Sequence, residues 1–473
     1  MPFPVLSVAQ MREWEEAAWA SGQTPSAVIA QVGRAVAEQL LQLTAPKQRI
    51  VILAGKGNNG ADAKAAVQHL LARSPTLIDA TDPAAALPRL REALATKPAL
   101  VLDGLFGIGL DRPLANEWVH LIDLLNESQV PVAALDIPSG LHADTGMPMP
   151  AAVHSAWTLT VGAPKLGLLA NDAAAFVGRL IVLPDVGLGP FPAIQTEMQW
   201  RVVDDFRGFP PRRASQAHKG EFGHAVLRAG SLGYHGAAVL ASRGAQRAQP
   251  GLVTVEPQES VYWPVAAQTQ AAMVRPWKPG QSLPAKTSAL LFGPGLAAPD
   301  QPGPLRDELQ KYWLELPFPM VVDASALDWL PRSSGRPPAP RIITPHPGEA
   351  ARLLEVSTGQ VQSDRLATVR ELSRQFGDCW VVLKGRHTLV GRREGPVTAN
   401  GTGNPFLAQG GSGDLLGGFI TGLLAQPKLA VEPEKSIGFA VWLHGQAADF
   451  LSANRPNWTV EDLANQLGLR SAP

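Results

Sequence analysis

Short, unbroken apolar runs, each closing on a polar or glycine-bearing turn and followed by a helical stretch, fix the fold class of this chain. Arg49-Ile-Val-Ile-Leu-Ala54 is the first, and residues 99–103, 132–136, 158–161 and 180–183 repeat the rhythm. Runs that are apolar at every position belong to strands covered on both faces. Strands of that kind, alternating with helices, build a parallel sheet. Ahead of them, Ser7-Val-Ala-Gln10 reads as a capping box for a helix over 11–19, and 26–43 reads as a second helix. A helix over 61–72 is expected after the first strand.

The Pro- and Gly-rich stretch 184–213 interrupts this series, and a second α/β series follows it. Strands are expected at 225–227, 252–255, 289–292, 320–323, 341–343 and 380–383, with helices over 235–248, 304–315 and 348–354. The last ~60 residues read as helical, and 333–340 as a Pro-rich surface loop. At ~150 residues per domain, 473 residues accommodate two such bodies, which we place at 1–208 and 209–473.

Charge argues against some partners. The 41 basic residues balance the 41 acidic ones, unlike a general nucleic-acid binder or a protein of anionic membrane surfaces. No apolar run approaches the ~18 residues of a membrane span, and no signal peptide is visible. Cys379 is the single cysteine and lies in a strand-like run, so a buried, inert thiol is expected. These features predict a cytoplasmic protein.

Three turns in the first half fall at strand ends, where open α/β sheets bind ligands. Gly55-Lys-Gly-Asn-Asn-Gly-Ala-Asp62 fits neither a dinucleotide fingerprint nor a Walker loop, yet offers backbone N–H groups and two side-chain amides. Asp103-Gly-Leu-Phe-Gly-Ile-Gly109 and Asp136-Ile-Pro-Ser-Gly140 end two further strands. Each turn alone is weak evidence, but the three should converge on one crevice. Asn59, Asp103 and Ser139 could give oxygens to a hard cation. Asp136 could act as an acid/base or be structural.

The second half carries the sharper signal. Gly410-Gly411-Ser412-Gly413-Asp414 ends a Gly/Asn/Pro-rich loop and opens the helical run 415–424. Converging backbone N–H groups at a helix N-terminus make an anion hole, and Asp414 at its mouth could take a proton from an attacking hydroxyl. Gly293-Pro-Gly295, Thr344-Pro-His-Pro-Gly-Glu349 and Lys384-Gly-Arg-His-Thr388 end other strands. His346 is framed by prolines, and the last turn has donors suited to a nucleotide phosphate.

Together with Ala163-Pro-Lys-Leu-Gly-Leu168, the three first-half turns resemble the YjeF N-terminal domain, the NAD(P)HX epimerase family. The second-half turns resemble the YjeF C-terminal domain, a ribokinase-like fold with NAD(P)HX dehydratase activity that uses ADP or ATP. The resemblance covers nearly the whole chain, in the order of the fused bifunctional enzyme. It implies a Rossmann-like three-layer αβα domain followed by a ribokinase-like α/β domain.

For the first half it implies interconversion of the 6R and 6S hydrates of NADH and NADPH. Asn58, Asn59, Gly60, Ala61, Asp62, Gly107, Ile108, Gly109, Leu110, Asp111, Arg112, Pro113 and Asp136 would contact the hydrate. Asp136 would be the acid/base, and Asn59, Asp103 and Ser139 would hold K⁺. For the second half it implies dehydration of the 6S hydrate at the expense of ADP, with Mg²⁺. Ala238, Gly295, His346 and Asp414 would bind the hydrate, with Asp414 as catalytic base. Lys384, Gly385, Arg386, His387, Thr388 and Gly413 would bind ADP. The family's habit of assembly implies a homo-oligomer.

Ala61 and Ala63 stand where the family usually has glycine. Were φ > 0 or close ligand approach required there, alanine would cost on the order of 1 kcal/mol or block the contact. Ala297, Ser325 and the bulky Arg386-His387 pair also depart from the pattern. A small-molecule kinase and a non-catalytic nucleotide binder remain as alternatives on the same fold.

Overall fold

The computed structural model describes residues 2–192, 194–298, 301–333 and 335–468. They form two compact units that part between Thr196 and Glu197. That seam lies inside the Pro- and Gly-rich stretch 184–213.

In the first unit six strands, β1 (Ile50–Ala54), β2 (Thr76–Asp79), β3 (Leu100–Gly104), β4 (Val132–Leu135), β5 (Trp157–Val161) and β6 (Arg179–Leu183), form one sheet. The order is β2-β1-β3-β4-β5-β6 and every pairing is parallel. Successive β1 residues serve opposite faces. Ile50, Ile52 and Ala54 pack under Met11, Trp14, Val36 and Leu40, whereas Val51 and Leu53 pack under Leu90, Leu121 and Ile122. Helices therefore cover both faces, giving the three-layer αβα arrangement. β2 was not among the expected strands. It is an edge strand with one buried residue, Ile78, so it carries no continuous apolar run.

The strand order changes direction between β1 and β3, which opens a crevice at their carboxyl ends. The helix after β1 starts at Asn58 and ends at Ala66, earlier than the expected 61–72. Single 3₁₀ turns continue it at Val67–His69 and Leu71–Arg73. The capping box at Ser7 and Gln10 is present, heading the helix Val8–Ala20.

The second unit has a larger, mixed sheet. Its strands are β7 (Met198–Arg201), β8 (His224–Arg228), β9 (Leu252–Val255), β10 (Met273–Val274), β11 (Ala289–Phe292), β12 (Met320–Val322), β13 (Arg341–Ile343), β14 (Trp380–Leu383), β15 (Leu389–Gly391) and β16 (Val397–Asn400). The order runs β10-β9-β8-β11-β12-β13-β14-β15-β16-β7. β15 is antiparallel to both its neighbours. The six expected strands are present. β10 is two residues long, and β7, β15 and β16 are short and carry polar residues or glycine, so periodicity did not mark them.

The helix Ser412–Leu424 is buried at every residue from Leu415 onward. Its glycines let it touch the helix His235–Arg247 backbone to backbone. A Cβ on Gly418 would lie 1.9 Å from the Ala241 carbonyl oxygen, and one on Gly244 would lie 2.0 Å from that of Leu415. Backbone cannot retreat as a flexible side chain can. We expect Gly418→Ala to destabilise the second unit by about 3 kcal/mol or more. Gly236→Ala, with nothing within 4 Å of the added carbon, should change stability by less than ~1 kcal/mol. Urea unfolding of both variants measures the contrast. Among the described residues no helix is long and apolar enough to cross a membrane.

Candidate active sites

In the first unit the three turns meet. A Cβ on Gly107 would lie 3.4 Å from the Asn59 side chain and 3.4 Å from Asp136 Oδ2. Asn59 Nδ2 donates to the Phe106 carbonyl at 2.9 Å. Ser139 Oγ donates to Asp103 Oδ1 at 2.6 Å, and the Ser139 N–H donates to Oδ2 at 2.9 Å. Asp103 is fully buried. Burial pushes its carboxyl up to about 6, against the pull of hydrogen bonds from Ser139 and Leu105.

Gly57 caps the helix Asn58–Ala66 with φ 121° and no side-chain hydrogen bond, so the first N–H groups of that helix face outward beside exposed Asn58. Gly60 is buried against Gly55. Ala61 and Ala63 lie inside the helix, neither with positive φ. The Ala63 Cβ packs against Gly104, whose missing side chain makes the room. The two alanines therefore carry no backbone penalty.

Gly107, Ile108, Gly109 and Leu110 form the rim of the crevice. Ile108 and Leu110 pack on opposite core clusters, while Asp111, Arg112 and Pro113 are exposed.

Asp136 adopts φ 65°, a left-handed conformation uncommon for aspartate and a mark of local strain. Lys165, fully buried, sets its ammonium 2.5 Å from Asp136 Oδ1 and also donates to the Val161 carbonyl at 2.8 Å. Asp62 is buried nearby. Burial first, and then the charges of Asp136 and Glu15, push its carboxyl up to about 8. Glu15 is itself raised by burial and then by Asp136, with Lys165 and Arg12 opposing. At neutral pH the crevice thus holds a protonated carboxyl beside the Asp136–Lys165 pair. Lys165 belongs to the Ala163–Leu168 motif, which by itself gives the lysine no role. Glu15 carried no motif signal, because a glutamate on an amphipathic helix looks like any solvated one.

In the second unit Asp414 falls in the first turn of the helix Ser412–Leu424, which starts three residues before the expected run. Gly411 caps it with φ 96° and no side-chain hydrogen bond. A Cβ there would meet the flexible end of Leu240, which can move aside, so it is the positive φ that calls for glycine. His444 Nε2 lies 3.1 Å from the Ser412 carbonyl, and burial pulls this imidazole down to about 4. It is therefore neutral and donates, fixing the start of the helix from behind.

Burial, followed by the Asp323 charge, pushes the Asp414 carboxyl up to about 7, with Lys384 opposing. The Lys384 ammonium lies 3.0 Å from Asp323 Oδ1 and 3.9 Å from Glu349 Oε2. Burial works to lower Lys384, but Asp323, Glu349 and Asp414 outweigh it and hold the ammonium above the usual range. A Cβ on Gly413 would lie 3.2 Å from Lys384 Nζ, so the lysine reaches the mouth of the anion hole.

His346 caps the helix Pro347–Leu354 through Nδ1, which accepts from Gly348 and Glu349 N–H at 3.0 and 3.2 Å. Glu349 Oε2 accepts the His346 N–H at 2.7 Å. The ring is half-exposed, with Nε2 3.5 Å from Glu349 Oε1. Gly295 has φ 66°, and a Cβ there would lie 2.5 Å from the Tyr234 carbonyl oxygen. Ala238, fully buried, packs against Gly230.

The Lys384–Thr388 turn is braced by Arg365, whose guanidinium donates to the carbonyls of Arg386, His387 and Leu383. Thr388 Oγ1 donates to the Gly385 carbonyl at 3.1 Å. Burial pulls the Arg386 guanidinium down to about 10. The His387 ring packs edge-on against Trp200 at 4.9 Å, and burial with the charges of Arg386 and Arg365 holds it well below the usual histidine range. Arg365, Glu349, Asp323 and His444 are members of this site that spacing did not reveal. Asp323 and Glu349 offered a hint, as acidic residues at or just after strand ends. Cys379 is buried, and burial pushes its thiol up, as expected of an inert core residue.

Comparison with known proteins places both units. A family model described as NAD(P)H-hydrate dehydratase matches residues 225–468. A model described as YjeF-related protein N-terminus matches 26–80 and 76–167. A bifunctional NAD(P)H-hydrate repair enzyme of Coxiella burnetii is 34% identical, over 93% of this chain and 93% of the relative. One of Gloeobacter violaceus is 32% identical, over 98% and 97%.

Among solved structures, the ADP/ATP-dependent NAD(P)H-hydrate dehydratase of Bacillus subtilis, co-crystallized with ATP and Mg²⁺, is 30% identical. It covers 56% of this chain and 95% of its own, with a TM-score of 0.51. A ribokinase-like superfamily protein of Enterococcus faecalis, 24% identical, covers 58% of this chain and 95% of its own at a TM-score of 0.50. It agrees in fold. The chain therefore belongs to the bifunctional NAD(P)H-hydrate repair enzyme family, with a YjeF-type first domain and a ribokinase-like second domain.

Proposed function

We propose that the first unit epimerises the 6R and 6S hydrates of NADH and NADPH, and that the second dehydrates the 6S form with ADP. The observation that carries this reading is the Asp414 carboxyl at the uncapped N-terminus of the helix Ser412–Leu424, with the Lys384 ammonium beside it. Donors converging on one point suit a transferring phosphoryl group, and the carboxylate suits the hydroxyl that attacks it.

In the second unit, Asp414 takes the proton of the C6 hydroxyl as that oxygen attacks the β-phosphorus of ADP, and AMP leaves. The C6–O bond then breaks as phosphate departs. A proton is lost from C5, and the C5=C6 double bond of NAD(P)H is restored. Gly295 and His346 line the hydrate side, and Ala238, fully buried, supports it from within the helix His235–Arg247. Lys384 to Thr388 and Gly413 hold the nucleotide, with Arg386 and His387 contributing mainly backbone because their side chains are packed. Mg²⁺ enters with ADP as part of the substrate.

In the first unit, C6 bears both the hydroxyl and the ring nitrogen. Asp136, in its acid form, gives a proton to the C6 hydroxyl, water leaves with the C6–O bond, and the ring nitrogen's electrons form a planar C6=N1 iminium. Water then re-enters from either face and returns its proton to Asp136, while Asn58 to Asp62 with Gly107 to Pro113 hold the hydrate. K⁺ fits the oxygens of Asp103, Ser139 and Asn59. Asp103 is a buried carboxylate met only by neutral donors, and a monovalent cation would compensate it. When bound, the ion supplies positive charge next to the crevice. Assembly with further copies of the chain and a reducing, cytoplasmic setting belong to the same proposal, the latter supported by the single buried thiol.

A purified sample given ADP, Mg²⁺ and 6S-NADHX should restore the absorption of NADH. Failure with both ADP and ATP would remove this reading of the second unit.

A further inference from the structure

We propose that Asp323 is a positioning residue of the dehydration site, holding the Lys384 ammonium toward the mouth of the anion hole and away from Asp414. The inference rests on the function proposed above.

Asp323 directly follows β12 and is 1% exposed. Its backbone is fixed by its N–H donating to the Phe292 carbonyl at 3.1 Å. Asp323 Oδ1 takes Lys384 Nζ at 3.0 Å. Its Oδ2 lies 3.4 Å from a Cβ built on Gly417 and 3.9 Å from one built on Gly413. The carboxylate thus lies within van der Waals reach of the first two turns of the helix Ser412–Leu424.

Among the described residues the ion-pair partners of Lys384 are Asp323 and Glu349, not Asp414. That arrangement matters chemically. A lysine paired with Asp414 would weaken it as a base and would be drawn from the phosphoryl group. Held by Asp323, the same lysine serves the phosphoryl group while Asp414 keeps its basicity.

The charged and titratable groups around Asp414 are Asp323 from β12, Lys384 from β14, Glu349 from the helix Pro347–Leu354 and His444 from the helix Pro433–Asn454. His444 is neutral, and Glu349 is unchanged in Asp323→Asn and in Lys384→Gln. Replacing Asp323 removes a like charge from beside Asp414 and also releases Lys384 to pair with it. Both effects lower the Asp414 pKa. Replacing Lys384 removes the opposing cation and raises it.

The test is the pH profile of ADP-dependent dehydration of the 6S hydrate, for wild type, Asp323→Asn and Lys384→Gln. In wild type the rate should rise with pH through about 7, where Asp414 ionises. In Asp323→Asn the rise should move down by roughly one pH unit or more, and kcat on the plateau should fall on the order of 10²-fold with little change in KM. In Lys384→Gln the rise should move up. Asp323→Glu should restore part of the plateau.

The Asp414 carboxyl carbon, followed by NMR, gives the same shifts without turnover. If wild type does not turn over, the functional reading fails while the carbon titration still decides the positioning role. Equal losses at all pH, with the carbon titration unmoved in Asp323→Asn, would overturn the proposal.

Discussion

Asp414→Asn should lower ADP-dependent dehydration on the order of 10³-fold while leaving ADP binding intact. The amide keeps the shape of the carboxylate and cannot accept the hydroxyl proton, a contribution typically of 10²–10⁴ in rate. In the proposed site the nucleotide is held by backbone at Gly413 and by the Lys384 turn, which Arg365 braces independently. A stability change of opposite sign should accompany the loss. The Asp414 carboxyl is raised from 3.8 to about 7 in the folded protein, so the fold disfavours its ionised form. Its contribution is present below the unfolded value and declines as pH rises toward about 7. At pH 8 the asparagine variant should therefore be more stable than wild type, by a few kcal/mol at most, and at pH 4 nearly equal. Calorimetric melting at the two pH values, with isothermal titration of ADP, measures both effects. Near-wild-type turnover would remove Asp414 from the base role.

Asp136→Ala should abolish epimerisation to a similar extent, roughly 10²–10⁴-fold, without slowing dehydration of the pure 6S hydrate. This variant has a structural cost that must be separated from the chemical one. Lys165 is fully buried, and removing its partner leaves a buried cation unpaired, which costs about 3–5 kcal/mol. The double variant Asp136→Ala/Lys165→Met replaces the pair with apolar volume. It should recover most of that stability and none of the epimerisation. Recovery of both by the double variant would make the pair purely structural. Equal loss of both reactions in Asp136→Ala would mean that the damage is global.

Much of the α/β architecture was legible because strands covered on both faces must be apolar throughout. Residues 50–54 and 289–292 could hardly be anything else. β2 and β10 were not legible, since an edge strand is half solvated and its pattern fades into that of a loop. The turns carrying Asp103 and Asp136 were legible because glycine and a carboxylate stand together where an apolar run stops, the place at which an α/β sheet meets its ligands. The one carrying Asp414 was legible because glycines and a carboxylate stand together where an apolar helical run begins. What supports those turns was hidden. Arg365, His444 and Glu15 come from helices far away in the chain, and each is a common residue type in an ordinary helical context. Their meaning comes from what they face, and only tertiary structure specifies that. The alanines at 61 and 63 teach the converse lesson. A departure from a glycine pattern threatened the backbone there only while its conformation was unknown. With both residues inside a regular helix, and Gly104 opposite Ala63, the departure is accommodated.

The central claim is that one chain joins two reactions, of which only the second consumes a nucleotide. The most direct test follows the 6R and 6S hydrates separately over time after a pure 6R sample is mixed with the protein. Without ADP, 6R should convert to a mixture with 6S, and no NADH should form. With ADP and Mg²⁺, both hydrates should disappear, and NADH, AMP and phosphate should appear in equal amounts. A stable phosphorylated product in place of NADH, or persistence of 6R while added 6S is consumed, would contradict the account.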